Sequence, residues 1–144
     1  MLPTIILAED HTEIREGLKA FLQRQGMTVV GVAGDGAAAV QLATSLLPDV
    51  ALLDVSMPIL DGIGAACEIR SAAPGTKTIM LTMQSDYGCV SRAARAGAAG
   101  YVLKTKITTE LIDAIHQVLS GHLYVSAGIS RAAFETRAQM AAGS

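Results

Sequence analysis

Tryptophan is absent from the 144-residue sequence, and only three tyrosines, two phenylalanines and two cysteines are present. The cysteines, Cys67 and Cys89, form neither a CxxC pair nor any other spacing typical of metal ligands. Apolar runs such as residues 5–8 are about four residues long, far short of the roughly 20 that span a bilayer. The first residues also lack the charged and apolar regions of a secretory leader. We therefore expect a cytoplasmic protein without a membrane segment.

An excess of positive charge is lacking as well. Lysine and arginine total 11 against 13 aspartates and glutamates, which gives a net charge of −2. Proteins that bind nucleic acids normally carry basic surfaces, so the composition gives no case for nucleic-acid binding by this chain. A hydrophobic share of 51% with 17% charged residues excludes the disordered class. The length fits one globular domain.

The sequence does contain a regular alternation of short apolar runs with helical stretches. Five β-branched runs cover residues 4–8, 28–33, 50–53, 78–81 and 99–103. They alternate little between apolar and polar residues, which predicts strands buried on both faces of a parallel sheet. The helical stretches carry one apolar stripe each, as at Ile14, Leu18 and Leu22. We predict an α/β fold, a three-layer αβα sandwich.

Helix starts and the domain boundary are also predicted. Thr12, Asp35, Asp61 and either Thr108 or Thr109 are the expected N-caps. No linker interrupts residues 1–124, so we expect one domain there. Residues 125–144 are alanine-rich and weakly patterned, and we leave open whether they form a linker or a short C-terminal helix.

Polar residues follow four of the five predicted strands directly. Glu9 and Asp10 follow the first strand, Asp54 the third, Thr82 the fourth and Lys104 the fifth. Ligands of parallel α/β sheets bind beyond the carboxyl ends of the strands. These five side chains are therefore expected to converge on one site.

Three carboxylates about 5 Å apart repel one another by roughly 3 kcal/mol per pair, and a bound cation relieves that repulsion. Oxygen ligands near a phosphoryl group favour Mg²⁺, and the backbone carbonyl of Ser56 could complete its ligands. We assign His11 to the first turn of a helix rather than to the metal. Lys104 and Thr82 are groups that bind phosphoryl oxygens, and Asp54 is the best candidate nucleophile.

These residues lie in motifs that together resemble the receiver, or phosphoacceptor, domain of two-component response regulators. The motifs occupy residues 7–11, 53–58, 61–62, 81–83, 96–98 and 100–104. The last three are similar to the NarL/FixJ-type subfamily. The resemblance covers residues 4 to about 124, and it implies a doubly wound, flavodoxin-like, five-stranded parallel sheet of strand order 2-1-3-4-5.

The resemblance also implies a reaction. Asp54 would be phosphorylated by a partner sensor histidine kinase or by a small phosphodonor. Mg²⁺ would be bound directly by Asp10 and Asp54, mostly through water by Glu9, and by the carbonyl of Ser56. The protein would be a phosphoacceptor that assists its own phosphorylation and dephosphorylation, and not a conventional enzyme.

The resemblance also implies residues that change the conformation of the receiver when Asp54 is phosphorylated. Thr82 and Lys104 would bind the phosphoryl group. Tyr101 resembles the aromatic residue that changes conformation in this family, and packing at the sheet edge is its alternative role. Many receivers follow the lysine with a cis proline, whereas Thr105 follows Lys104 here. A cis bond without proline costs about 2.5–4 kcal/mol, so the geometry of this loop is left open.

The NarL/FixJ-type resemblance further implies control of transcription through a C-terminal helix-turn-helix domain. The residues after the last predicted helix are too few and too weakly basic to form one. The chain is thus expected to be an excised receiver with its linker or a natural single-domain protein, and a homodimer is left open. A degenerate receiver that serves only as a protein-interaction module is the alternative function.

Two rival interpretations involve other chemistry. Residues 34–39 read GDGAAA, a G-x-G-x-x-A pattern with Asp54 20 residues beyond Gly34, as in dinucleotide-binding folds. This pattern follows the second strand, and the carboxylates that end the first strand would repel a pyrophosphate. An aspartyl-phosphate phosphatase would typically use D-x-D, whereas Ser56 stands two residues after Asp54.

Overall fold

The computed structural model describes residues 2–83, 87–126 and 129. Strands and helices alternate along the chain as predicted. The strands are β1 (Thr4–Ala8), β2 (Thr28–Ala33), β3 (Val50–Asp54), β4 (Lys77–Thr82), β5 (Gly100–Leu103) and β6 (Tyr124–Val125). The helices are α1 (Thr12–Arg24), α2 (Gly36–Leu46), α3 (Gly62–Ala72), α4 (Tyr87–Arg95) and α5 (Ile107–Leu119), with a 3-10 turn at Lys104–Lys106.

The strands form one parallel sheet of order β2-β1-β3-β4-β5-β6. The first five strands have the predicted order, but the predicted number of strands is wrong. Tyr124 and Val125 add a sixth strand, which pairs in parallel with Gly100 and Tyr101 of β5. Two residues are too few to give a strand pattern in the sequence. Val125, the first residue of the predicted linker or helix, therefore lies in a strand, and residues 127, 128 and 130–144 of that segment lie outside the described residues.

Side chains on the two faces of the sheet form two hydrophobic clusters. Ile6 of β1 belongs to the cluster under α2, α3 and α4, whereas Ile5 and Leu7 belong to the cluster under α1 and α5. This arrangement confirms the three-layer sandwich. The expectation that every strand is buried on both faces is wrong for β2. Val30 and Val32 of β2 are exposed because this strand lies at the edge of the sheet.

Two predicted N-caps are confirmed. The Asp35 carboxylate accepts a hydrogen bond from Ala38 N at 2.8 Å at the start of α2. The Asp61 carboxylate accepts one from Gly64 N at 2.7 Å at the start of α3. Each bond satisfies a backbone donor that has no partner within its helix.

The other predicted N-caps are wrong. His11 precedes α1 in place of Thr12, and Lys106 precedes α5 in place of Thr108 or Thr109. Neither side chain makes a capping hydrogen bond. The start of α5 differs because the helix continues directly from the 3-10 turn. Within the described ranges, no helix combines the length and the apolar character needed to cross a membrane.

Candidate functional site

The register of the central strands brings the acidic residues together. Ala8 of β1 pairs with Leu53 of β3, so the next residues, Glu9 and Asp54, emerge side by side at the carboxyl edge of the sheet. Asp54 itself pairs with Leu81 of β4. Both carboxylates are buried: the Glu9 side chain is 2% exposed and that of Asp54 is 7% exposed.

Lys104, which directly follows β5, reaches both carboxylates. Its Nζ lies 2.7 Å from Glu9 Oε1 and 3.1 Å from Asp54 Oδ2, and its side chain is only 16% exposed. The structure therefore brings together three of the predicted site residues, separated by up to 95 positions in the sequence. Charge-assisted hydrogen bonds of this length are the strong ones, and burial protects them from water.

The electrostatics of the two carboxylates differ. Burial and the neighbouring Glu9 carboxylate raise the pKa of Asp54 to about 6. Burial also acts to raise the pKa of Glu9, but hydrogen bonds from Lys104 and its other neighbours outweigh it and lower that pKa to about 2. Burial alone would lower the pKa of Lys104, but the two carboxylates raise it. Asp54 is thus the carboxylate of this pair that binds a proton first as the pH falls, and Lys104 remains charged.

Asp10 and His11 lie next to Glu9 and nearer the surface, and we call these three residues together with Asp54 the acidic cluster. His11 Nδ1 lies 3.3 Å from Asp10 Oδ1 and 3.5 Å from Glu9 Oε2. One ligand atom from each of the three residues falls within 4.8 Å of the others. The prediction that His11 belongs to the first helical turn is wrong, because this residue directly precedes α1 and contacts the carboxylates.

Ser56 lies in the loop that follows Asp54. Its backbone N–H donates to Asp54 Oδ1 at 3.3 Å. This loop borders a cleft of about 510 Å³, which Asp10 also lines. The full lining comprises Asp10, Val55, Ser56, Met57, Pro58, Asp61, Ile63 and Arg92. The cleft gives solvent access to the acidic cluster.

Gly62 allows the first turn of α3 to pack against the end of β3. A Cβ atom at this position would lie 2.1 Å from the carbonyl oxygen of Asp54. The Gly62 N–H donates to the carbonyl of Val55 at 3.0 Å, which closes the loop between them. A side chain here would displace the backbone that carries Asp54.

Thr82 and Tyr101 lie on the strands beside the acidic pair. Thr82 is buried at the end of β4, one residue beyond the Leu81 that pairs with Asp54. Tyr101 is fully buried, and its hydroxyl donates to the Sγ of Cys89 in α4 at 3.0 Å. The aromatic ring therefore faces the core in this structure.

The glycine-rich segment at residues 34–39 has a structural explanation. Gly36 N donates to the carbonyl of Leu60 at 3.0 Å, and a Cβ at Gly36 would lie 2.0 Å from that oxygen. Asp35 caps α2. These contacts account for the pattern without a dinucleotide.

Two residues that the sequence did not single out also support the site. Arg15 Nη1 donates to the backbone carbonyl of Glu9 at 2.8 Å and so fixes the turn after β1. Ser126 Oγ accepts a hydrogen bond from Leu103 N, directly before Lys104. No local sequence pattern predicts either contact, because each contact joins residues from different elements.

The family model of the response regulator receiver domain matches residues 5–116 of the chain. The uncharacterized transcriptional regulatory protein YxjL of Bacillus subtilis is 45% identical over 118 residues, which cover 81% of this chain and 54% of that protein. The response regulator GacA of Pseudomonas aeruginosa is 34% identical over 128 residues, covering 88% of this chain and 60% of that protein. The chain thus spans little more than half the length of these relatives.

Two solved structures show the same fold. The signal receiver domain of NarL from Mycobacterium tuberculosis is 37% identical, with a TM-score of 0.80 over 84% of this chain and 98% of that one. A LuxR-family two-component response regulator from Aurantimonas sp. SI85-9A1 is 32% identical, with a TM-score of 0.86 over 95% and 99%. The motifs, the sheet order and these similarities agree, and the chain belongs to the receiver-domain family of two-component response regulators, in its NarL/FixJ-type branch.

Proposed function

We propose that the receiver accepts a phosphoryl group on Asp54 from a sensor histidine kinase, or from a small phosphodonor, in the presence of Mg²⁺. One observation carries the proposal: the buried Asp54 carboxylate, beside Glu9 and 3.1 Å from the Lys104 ammonium, ends the central strand at the carboxyl edge of the sheet. This edge is where parallel α/β sheets bind their ligands.

The residues present fit a magnesium ion. The candidate ligands are the carboxylates of Asp10 and Asp54, the carbonyl of Ser56 and, mostly through water, Glu9. Oxygen ligands of this kind suit a hard divalent cation. When bound, Mg²⁺ supplies positive charge that offsets the repulsion among the carboxylates and the phosphoryl oxygens. The cleft beside Asp10 and Ser56 gives the ion access from solvent.

The chain's own residues then have distinct tasks in the transfer. An Asp54 carboxylate oxygen forms a bond to phosphorus as the bond between phosphorus and the donor histidine nitrogen breaks. The imidazole leaves with the bonding electron pair and takes up a proton from solvent. Lys104 and Thr82 bind the phosphoryl oxygens, which lowers the barrier by offsetting their charge. Phosphorylation by a small phosphodonor would show that the receiver assists this reaction without its kinase.

Phosphorylation would redistribute the contacts of Lys104. Its ammonium now contacts both carboxylates, and a phosphoryl group on Asp54 would offer it and Thr82 new acceptor oxygens. Tyr101, buried on the neighbouring strand, is the residue through which we propose that a change at Thr82 reaches α4.

The output that we propose is transcription control through a C-terminal DNA-binding domain beyond this chain. The greater length of the relatives and their names as transcriptional regulators support this proposal. The free cysteines, Cys67 and Cys89, fit a cytoplasmic location. We also propose that the receiver associates with a second copy of itself as a homodimer.

Intact-mass measurement after incubation with acetyl phosphate tests the function. The wild-type protein should gain one phosphoryl group with Mg²⁺ and none after chelation. Asp54→Asn should abolish the gain. Asp61→Asn is the matched control, because it removes another carboxylate of the same cleft and leaves an N-cap residue of comparable strength. No gain by the wild type would favour a protein-interaction module, and labelling of Asp54→Asn would contradict the assignment.

A further inference from the structure

The chain returns to the sheet after α5 and packs against the strand that leads to Lys104. Tyr124 N donates to the carbonyl of Ala99 at 3.0 Å, and Ser126 N donates to that of Tyr101, also at 3.0 Å. Ser126 is only 1% exposed, although it is a polar residue near the end of the described chain. Its burial is explained by the contacts of its hydroxyl.

That hydroxyl has one donor and one acceptor contact. Ser126 Oγ donates to Glu110 Oε1 at 2.7 Å and accepts a hydrogen bond from Leu103 N at 3.1 Å. Glu110 Oε1 also accepts from the Tyr124 hydroxyl at 3.0 Å. The bond to Glu110 fixes the direction of the Ser126 O–H, so that an oxygen lone pair faces Leu103.

The two contacts lie on either side of Lys104. Leu103 directly precedes this lysine, and Glu110 lies in the first turn of the helix that follows it. Between them the chain forms the 3-10 turn Lys104–Lys106, and the bond from Lys104 to Thr105 is trans. Ser126 therefore joins the strand before Lys104 to the helix after it.

We propose that Ser126 is a positioning residue for phosphoryl transfer, acting through Lys104. Its hydroxyl holds the end of β5 and the start of α5 so that the Lys104 ammonium reaches Glu9 and Asp54. This inference rests on the proposed phosphorylation of Asp54.

The rate of phosphorylation by acetyl phosphate at saturating Mg²⁺ tests the proposal. Ser126→Ala should lower the maximal rate by about three- to tenfold, the range expected for one lost hydrogen bond. Ser120→Ala is the matched control, because the Ser120 hydroxyl donates to His116 O at the exposed end of α5, away from Lys104. This control should keep the wild-type rate.

A double-mutant cycle distinguishes positioning from a general structural role. In the Lys104→Ala background, Ser126→Ala should change the rate no further, because the lysine through which it acts is gone. An equal loss in both backgrounds would overturn the proposal. A wild-type rate in Ser126→Ala would overturn it as well.

Amide hydrogen exchange provides a readout that needs no phosphorylation. Ser126→Ala should speed exchange at the Leu103 amide at least tenfold relative to Ser120→Ala, since Leu103 N loses its acceptor. Unchanged exchange would overturn the inference alone. Failure of the wild-type protein to take up a phosphoryl group would instead overturn the proposed function, and the positioning role with it.

Discussion

The Lys104 ammonium lies 3.1 Å from Oδ2 of Asp54, although Asp54 ends β3 and Lys104 directly follows β5. Their contact depends on the pairing of β3 with β4 and of β4 with β5. The same lysine also contacts Glu9, so the proposed acceptor carboxylate shares its cation with a second carboxylate. The proposed reaction is therefore sensitive to changes in each member of this group.

Removal of the lysine should slow phosphorylation. Lys104→Ala takes away the cation that offsets charge on the phosphoryl oxygens, and the rate with acetyl phosphate should fall by about 100- to 1,000-fold. Lys77→Ala is the control, since Lys77 is an exposed lysine at the amino-terminal end of β4, and the site lies at the carboxyl ends of the strands. A wild-type rate in Lys104→Ala would contradict the role of this ammonium.

Magnesium affinity should depend on pH in a defined direction. The pKa of Asp54 is raised to about 6, so its carboxylate is ionised above that pH and binds a competing proton below it. Titration calorimetry should show nearly constant affinity above about pH 7 and a loss of about tenfold per unit below pH 6. Asp54→Asn should bind Mg²⁺ more weakly and lose this pH dependence. An unchanged profile in the variant would assign the dependence to another group.

Two glycine substitutions should have opposite effects on stability. Gly62→Ala places a Cβ 2.1 Å from the Asp54 carbonyl oxygen and should lower the free energy of unfolding by about 2–4 kcal/mol. Gly17→Ala meets no atom within 4 Å inside α1 and should raise it by about 0.5–1 kcal/mol. Urea unfolding measures both values. Equal effects would show that the packing beside Asp54 is not tight.

The two thiols should differ in reactivity. Cys67 is exposed, whereas Cys89 is buried in α4 and accepts the hydrogen bond from Tyr101. A disulfide reagent should modify Cys67 at once and Cys89 only as α4 opens. Cys67→Ser should remove the fast phase and leave the slow one. Two fast phases in the wild-type protein would contradict the packing of α4 on the sheet.

Local patterns in the sequence were sufficient to predict the layers, because β-branched runs and helical stripes are local, whereas the order of the first five strands was predicted from the resemblance to receiver domains. The sequence was also sufficient to predict which residues end the strands, and thus the convergence of Glu9, Asp54 and Lys104. It did not predict β6, whose two residues gain their structure from pairing with β5. The contact between Ser126 and Leu103 was missed for the same reason, since it depends on tertiary structure alone.

Chemical mapping of the phosphorylated residue tests the central proposal most directly. Borohydride reduces an aspartyl phosphate to homoserine, and peptide mass spectrometry then locates the changed residue. After treatment with acetyl phosphate and Mg²⁺, homoserine should be found at position 54 and at no other aspartate. Homoserine at Asp10 or Asp61, or none at position 54 in a protein that has gained a phosphoryl group, would contradict the account.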